Sequence, residues 1–184
     1  TVTAAGSIEE SGSDGTADVT ATTIDLNAAS GIGAAGTLEI TGTTITADST
    51  GTGNVDIDSL ATTGVTVTTL TAGMGNITFD QTGGQTLAVT TSTATGSIVI
   101  TNAGANLTAT TVTASGAGND ATLTTTTSGN VLVGAVSAAD LATITAAALG
   151  ALGCGSTGGT RAPRAASKGI DVDFLLSYYD QSGE

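Results

Sequence analysis

The sequence contains no histidine and no tryptophan, one methionine (Met74), one cysteine (Cys154), one proline (Pro163), two phenylalanines and two tyrosines. Without histidine there is no Ser-His-Asp or Cys-His arrangement and no imidazole metal ligand. A lone cysteine builds neither a disulfide framework nor a zinc cluster, and Cys154, in a glycine-rich stretch with no basic residue before Arg161, reads as an incidental thiol. So few aromatics leave little to fill a wide core at native density. No stretch approaches eighteen apolar residues, so no transmembrane helix is expected. Positive charge is nearly missing: Arg161, Arg164 and Lys168 are the only basic residues, against 16 acids, for a net charge of −13. That balance argues against a nucleic acid or an anionic membrane as partner.

What is present is threonine (40), alanine (30) and glycine (27) over 184 residues, enough chain for one domain. These residues, with valine, isoleucine and leucine, suit a core one or two side chains thick. Opening on Thr1 rather than methionine reads as a processed product or a piece of a longer protein.

A glycine, a small polar residue and two alternating apolar residues recur at Gly15, Gly36, Gly53, Gly75 and Gly96, with a weaker copy at Gly118. The spacings are 21, 17, 22, 21 and 22 residues. Each unit carries a second apolar alternation (Ile24 and Leu26, Ile45, Val65 and Val67, Leu87 and Val89, Leu107, Val131 and Val133) and a third point at Ile32, Leu70, Val112 and Val136. Period-two alternation in β-branched residues indicates short strands, and a fixed period near twenty-one indicates stacked turns. A disordered low-complexity tract has no need of such register. A hairpin sandwich would favour Asn-Gly or Asp-Gly turns, and Asp14-Gly15 is the one such dipeptide.

The expected fold is therefore all-β, a right-handed parallel β-helix (β-solenoid) of about six turns over residues 1–136, with a short C-terminal helical cap and tail. One buried column is expected to stack Ala17, Leu38, Val55, Ile77, Ile98 and Ala121, and its neighbour Val19, Ile40, Ile57, Phe79, Ile100 and Leu123. Ser137 to Asp140 approximates a capping box, and Leu141, Ile144, Ala148 and Leu152 follow at helical spacing. These place a capping helix at 138–149 within a 137–152 segment. Residues 153–169 read as a flexible linker, and 170–184, with Phe174 and both tyrosines, as a terminal strand or tail.

In this register Asp18, Glu39 and Asp56 share one outward column, and Asp58 and Asp80 the next, after Thr20 and Thr41. Acids one turn apart repel unless screened, so these five are candidate ligands for weakly bound calcium, with a solvated acidic face as the plainer reading. Acid–base catalysis on a polysaccharide is disfavoured, because no lysine or arginine stands in the repeats to hold an anionic sugar. No phosphate-loop motif occurs. Thr20 and Thr22, Thr41 and Thr43, and Thr66 and Thr68 form outward Thr-x-Thr pairs of the kind that ice-binding solenoids present, though not in one column.

The run GNVDI…GVTVTTLTAG…GNITF…GGQTLAVTTSTATGSIVITNAGANLTATTVTASG resembles the central repeats of filamentous hemagglutinin-type bacterial adhesins and autotransporter passengers. The matching features are the starts at Gly53, Gly75 and Gly96 and the later strands at Val65, Leu87 and Leu107, within residues 15–136. The resemblance implies export, a secreted or cell-surface location, and a rod that presents adhesive elements to a glycan or cell-surface receptor. It identifies no binding residue. The expectation is a non-catalytic structural or adhesive repeat domain without a cofactor. An ice-binding solenoid, an end-to-end self-assembling filament and a polysaccharide-acting β-helix enzyme are the alternatives.

Overall fold

A computed structural model describes residues 1–10 and 14–147 and the backbone of 170–171. Fifteen strands follow one another: β1 (Val2–Ala4), β2 (Val19–Thr20), β3 (Thr23–Ala28), β4 (Leu38–Thr41), β5 (Thr44–Ser49), β6 (Val55–Ser59), β7 (Val65–Ala72), β8 (Ile77–Gln81), β9 (Leu87–Ala94), β10 (Ile98–Asn102), β11 (Leu107–Ala114), β12 (Ala121–Thr125), β13 (Val131–Ala138), β14 (Ala142–Thr145) and β15 (Ile170–Asp171). The odd strands β1 to β13 form one seven-stranded parallel sheet in chain order. The even strands β2 to β14 form the other, also parallel, and β15 joins its end antiparallel to β14. Consecutive strands thus alternate between sheets, and each turn lies on the one before. This is a parallel β-solenoid of about six turns.

The buried columns run through the middle. Val55, Ile77, Ile98 and Ala121 are paired in sequence from β6 to β12, and beside them Ile57, Phe79, Ile100 and Leu123. All eight are fully buried. On the seven-stranded sheet Val65, Leu87, Leu107 and Val131 form the matching column. The two later strands expected in each unit run together as one eight-residue strand in β7, β9, β11 and β13. Thr68 and Thr69 both point away from the core between buried Val67 and Leu70, which bends β7 into two short faces.

One expected contact is displaced by two residues. Leu38 pairs with Ile57, not Val55, and Ile40 with Ser59. The place over Val55 belongs to Ile32, which also bridges Ile8. Between Ile32 and Leu38 the chain leaves the stack through residues 33–37, starting at Gly33 with φ of 64°. Since the excursion rejoins the stack two residues farther along the strand, the 17-residue interval does not equal one turn.

The start of the units at Gly53, Gly75 and Gly96, a glycine followed by a small polar residue, has a physical cause. Gly75 and Gly96 sit where successive corners touch backbone to backbone: a Cβ on Gly75 would lie 2.6 Å from the carbonyl carbon of Gly53, and one on Gly96 2.8 Å from that of Gly75. The residue that follows tethers the next corner. Asn54 Oδ1 accepts the N–H of Asn76 at 2.9 Å, and Asn76 Oδ1 accepts that of Ser97 at 2.8 Å.

A buried polar column closes the other end of the even strands, where Ser59, Gln81, Asn102 and Thr125 stack in register. Backbone turning from one sheet to the other leaves inward groups that need partners. Gln81 Nε2 donates to the Ala61 carbonyl at 3.0 Å and its Oε1 accepts the N–H of Gly83. Asn102 Nδ2 donates to the Asn106 carbonyl at 3.1 Å, and Thr125 Oγ1 to that of Gly129 at 3.0 Å.

The expected helix at 138–149 is not formed over its described residues. Ala142–Thr145 is strand β14, with Ala142 on Ala121 and Ile144 on Leu123. Ile144 and Leu141 fit helical spacing, but the open edge of β12 offers a full row of backbone partners. The inward alternation of Ala142 and Ile144 matches it, so tertiary pairing prevails. The rest of that segment, the 153–169 linker with Cys154 and all three basic residues, and the tail from 172 onward lie outside the described residues.

Register makes a sharp prediction for two adjacent residues. Ile98 is fully buried, whereas Val99, one residue on, is 37% exposed. Ile98→Ala should cost about 2–5 kcal/mol in urea unfolding, and Val99→Ala no more than about 0.5 kcal/mol. Equal costs would contradict the inward assignment.

Candidate acidic site

The five acids expected to form two columns are arranged differently, because the shift at residues 33–37 carries them with it. Glu39 pairs with Asp58, and Asp58 with Asp80, after which Thr101 ends the run. Asp18 stands on the other side of Glu39, its N–H donating to the Glu39 carbonyl at 2.8 Å. Asp18, Glu39, Asp58 and Asp80 therefore make one continuous column over four turns, about 4.8 Å from each to the next along the sheet. Asp56 is outside it, beside Thr78 and then Val99.

Like charges at this spacing disfavour ionisation, and partial burial adds to the effect. Burial pushes the Glu39 carboxyl above its usual range and Glu10 adds repulsion; a backbone hydrogen bond opposes them, and Asp18 and Asp58 add lesser repulsion. Asp56 is raised mainly by burial, opposed by the Thr37 hydroxyl and reinforced by Asp80 and Asp58. Asp58 is raised mainly by burial and next opposed by Thr82, whose hydroxyl donates to Asp58 Oδ1 at 2.7 Å; Asp80 raises it further.

Glu10, absent from the residues expected to matter, joins the end of the column. One carboxylate oxygen from each of Glu10, Asp18 and Glu39 lies within 4.8 Å of those of the other two. Glu10 arrives there because Ile8 bridges Ile32, after which the chain leaves the stack in two successive turns, at 9–10 in the first and over 33–37 in the next. Glu9 links these excursions, its Oε2 accepting the Ala35 N–H at 2.9 Å. Within the sequence, the signal was the Glu9-Glu10 pair directly after Ile8, but without the Ile8–Ile32 bridge nothing places it near Glu39.

Threonine is also better ordered than the sequence suggested. Thr69, Thr91 and Thr111 pair in one column and Thr71, Thr93 and Thr113 in another, two residues away on the same strands. The shared Thr-Thr-x-Thr-Ala endings of β7, β9 and β11 carry this pattern. Of the expected pairs, Thr20 does lie beside Thr41, and Thr43 donates through N–H and hydroxyl to the Thr22 carbonyl. Thr66 falls on the other sheet, between Thr44 and Ala88. An open groove crosses the first of these corners, lined by Thr20, Thr22, Thr41, Thr43 and Thr63 among others. Its lining has no titratable side chain and so supplies no acid–base pair.

No family model matches this chain, and no curated protein and no solved structure matches it either.

The raised carboxyls fix the sign of one pH effect. A carboxyl whose value is higher folded than unfolded binds its proton more readily in the fold. Its destabilising contribution is complete above the folded-state value. It fades as pH falls through that value and is gone below the ordinary 4.5 of Glu39 and 3.8 of the two aspartates. The urea midpoint should therefore rise as pH is lowered from about 7 to about 4.5, the reverse of ordinary acid denaturation. A falling midpoint over that interval would contradict the strained column.

Proposed function

We propose that this chain is a non-catalytic structural segment of an exported protein, secreted or held at a bacterial surface, that spaces adhesive elements from their anchor. The observation that carries this reading is the in-register stack from β6 to β12, where each turn repeats the last without an inserted domain. The first sheet's seven strands give a rod about 29 Å long at about 4.8 Å per step, so the molecule gains reach by repetition. The likeness of its Gly53, Gly75 and Gly96 units to filamentous hemagglutinin-type repeats supports the same reading, with a glycan or cell-surface receptor as partner of the protein that carries it. An acidic, lysine-free repeat surface keeps such a rod soluble by self-repulsion, more gently in salt.

Pulling single molecules by their ends tests this. Turns should peel off in increments of about 70 Å, from about twenty-one residues at up to about 3.5 Å each. The protein should release no reducing ends from plant or bacterial polysaccharides. Smooth low-force extension, or sugar release abolished by Asp58→Asn, would contradict the proposal.

The two threonine columns favour a second reading, ice binding. Their hydroxyls repeat at about 4.8 Å between turns and about 7 Å along a strand. Thermal hysteresis of the purified protein, lost in Thr91→Lys, would support this reading. Its absence from the wild-type protein would dismiss it.

A further inference from the structure

The acids are not equivalent along their column: Glu39 is only 7% exposed, and its Oε2 is buried with no hydrogen-bond partner among the described residues. A buried anionic oxygen left without a partner is costly, and protein structures rarely tolerate one without compensation. Its immediate neighbours are further anions, Glu10 and Asp18. Residues 1–160 contain no lysine, arginine or histidine to answer them. No side chain of this stretch can supply a positive partner, which leaves a proton or a bound cation to neutralise the cluster.

We propose that Glu10, Asp18 and Glu39 form a calcium site that pins the first two turns of the solenoid together. Three carboxylates offer up to six hard oxygens and three negative charges, leaving positions for water in the six- to eight-fold shell that calcium takes. Magnesium demands a smaller, regular octahedron, and zinc prefers nitrogen and sulfur. The ligands are held before the ion arrives. Asp18 Oδ2 accepts the Glu39 N–H at 3.3 Å, Glu39 is fixed in β4, and Glu10 Oε1 accepts the Asp14 N–H at 3.3 Å. Glu9, holding Ala35, sets the two excursions side by side. The ion would thus close the place where the solenoid's ladder is most interrupted. Asp58 and Asp80, farther along, act as a background field rather than ligands. This proposal is independent of the role suggested for the rod.

Calcium titration of the full chain in 0.15 M NaCl, by calorimetry and by thermal melting, tests it. The expected result is one calcium per chain with Kd of about 10⁻⁴–10⁻³ M, the weak end of calcium affinities, as suits a shell of three carboxylates completed by water. At about ten times Kd the folding equilibrium should shift about tenfold toward the native state. Equal magnesium should give no comparable shift. Glu39→Gln should melt higher than the wild type without calcium, because an uncompensated charge is gone, and should lose the calcium increment. Glu10→Gln should weaken binding at least tenfold, and Asp48→Asn, on the other sheet, should leave it intact. No calcium binding in the wild type would overturn the site. So would an equal response to magnesium, an equal loss in Asp48→Asn, or unchanged binding in both Glu39→Gln and Glu10→Gln.

Discussion

Parallel backbone pairing between one turn and the next governs nearly everything else in this molecule. A turn of about twenty-one residues cannot bury its own apolar side chains. Once it lies on its neighbour, each inward residue meets the same position one turn away, and Val55, Ile77, Ile98 and Ala121 become a continuous column. The same spacing applies to the outer faces without discrimination. It turns threonines into ranks and brings Glu39, Asp58 and Asp80 side by side whether or not their charges favour it. Stability and electrostatic strain have a common origin in that ladder.

Corners bear the other half of the load. Gly75 and Gly96 have no room for a side chain, while Asn54 and Asn76 each bond the corner that follows. Inside, Gln81, Asn102 and Thr125 satisfy backbone groups that no strand can reach. Small residues and buried amides thus do what bulky aromatics do in wider cores, consistent with the scarcity of aromatic side chains.

The parts of the fold legible in the sequence were those fixed by alternation within a unit and repetition between units. The Val55–Ala121 and Ile57–Leu123 columns follow from both. Where repetition is broken the sequence misleads: Gly36-Thr37-Leu38-Glu39-Ile40 opens like Gly53-Asn54-Val55-Asp56-Ile57, yet Ile32 already holds the level of Val55. Only the pairing shows that residues 33–37 stand out of the stack. That slip hid the four-acid column and the approach of Glu10. Leu141 and Ile144 satisfied helical spacing, and the partner row offered by β12 decided for strand. The inward polar column was hidden for a simpler reason: glutamine and asparagine ordinarily face water, and only the corner carbonyls they meet explain their burial.

Methyl–methyl nuclear Overhauser contacts in the isotope-labelled protein address the stacking most directly. Cross-peaks should join Val55 to Ile77, Ile77 to Ile98, and Leu38 to Ile57, with Ile32 rather than Leu38 adjacent to Val55. Strong Leu38–Val55 contacts would contradict the two-residue shift, and missing contacts among Val55, Ile77 and Ile98 would contradict the stacked solenoid itself.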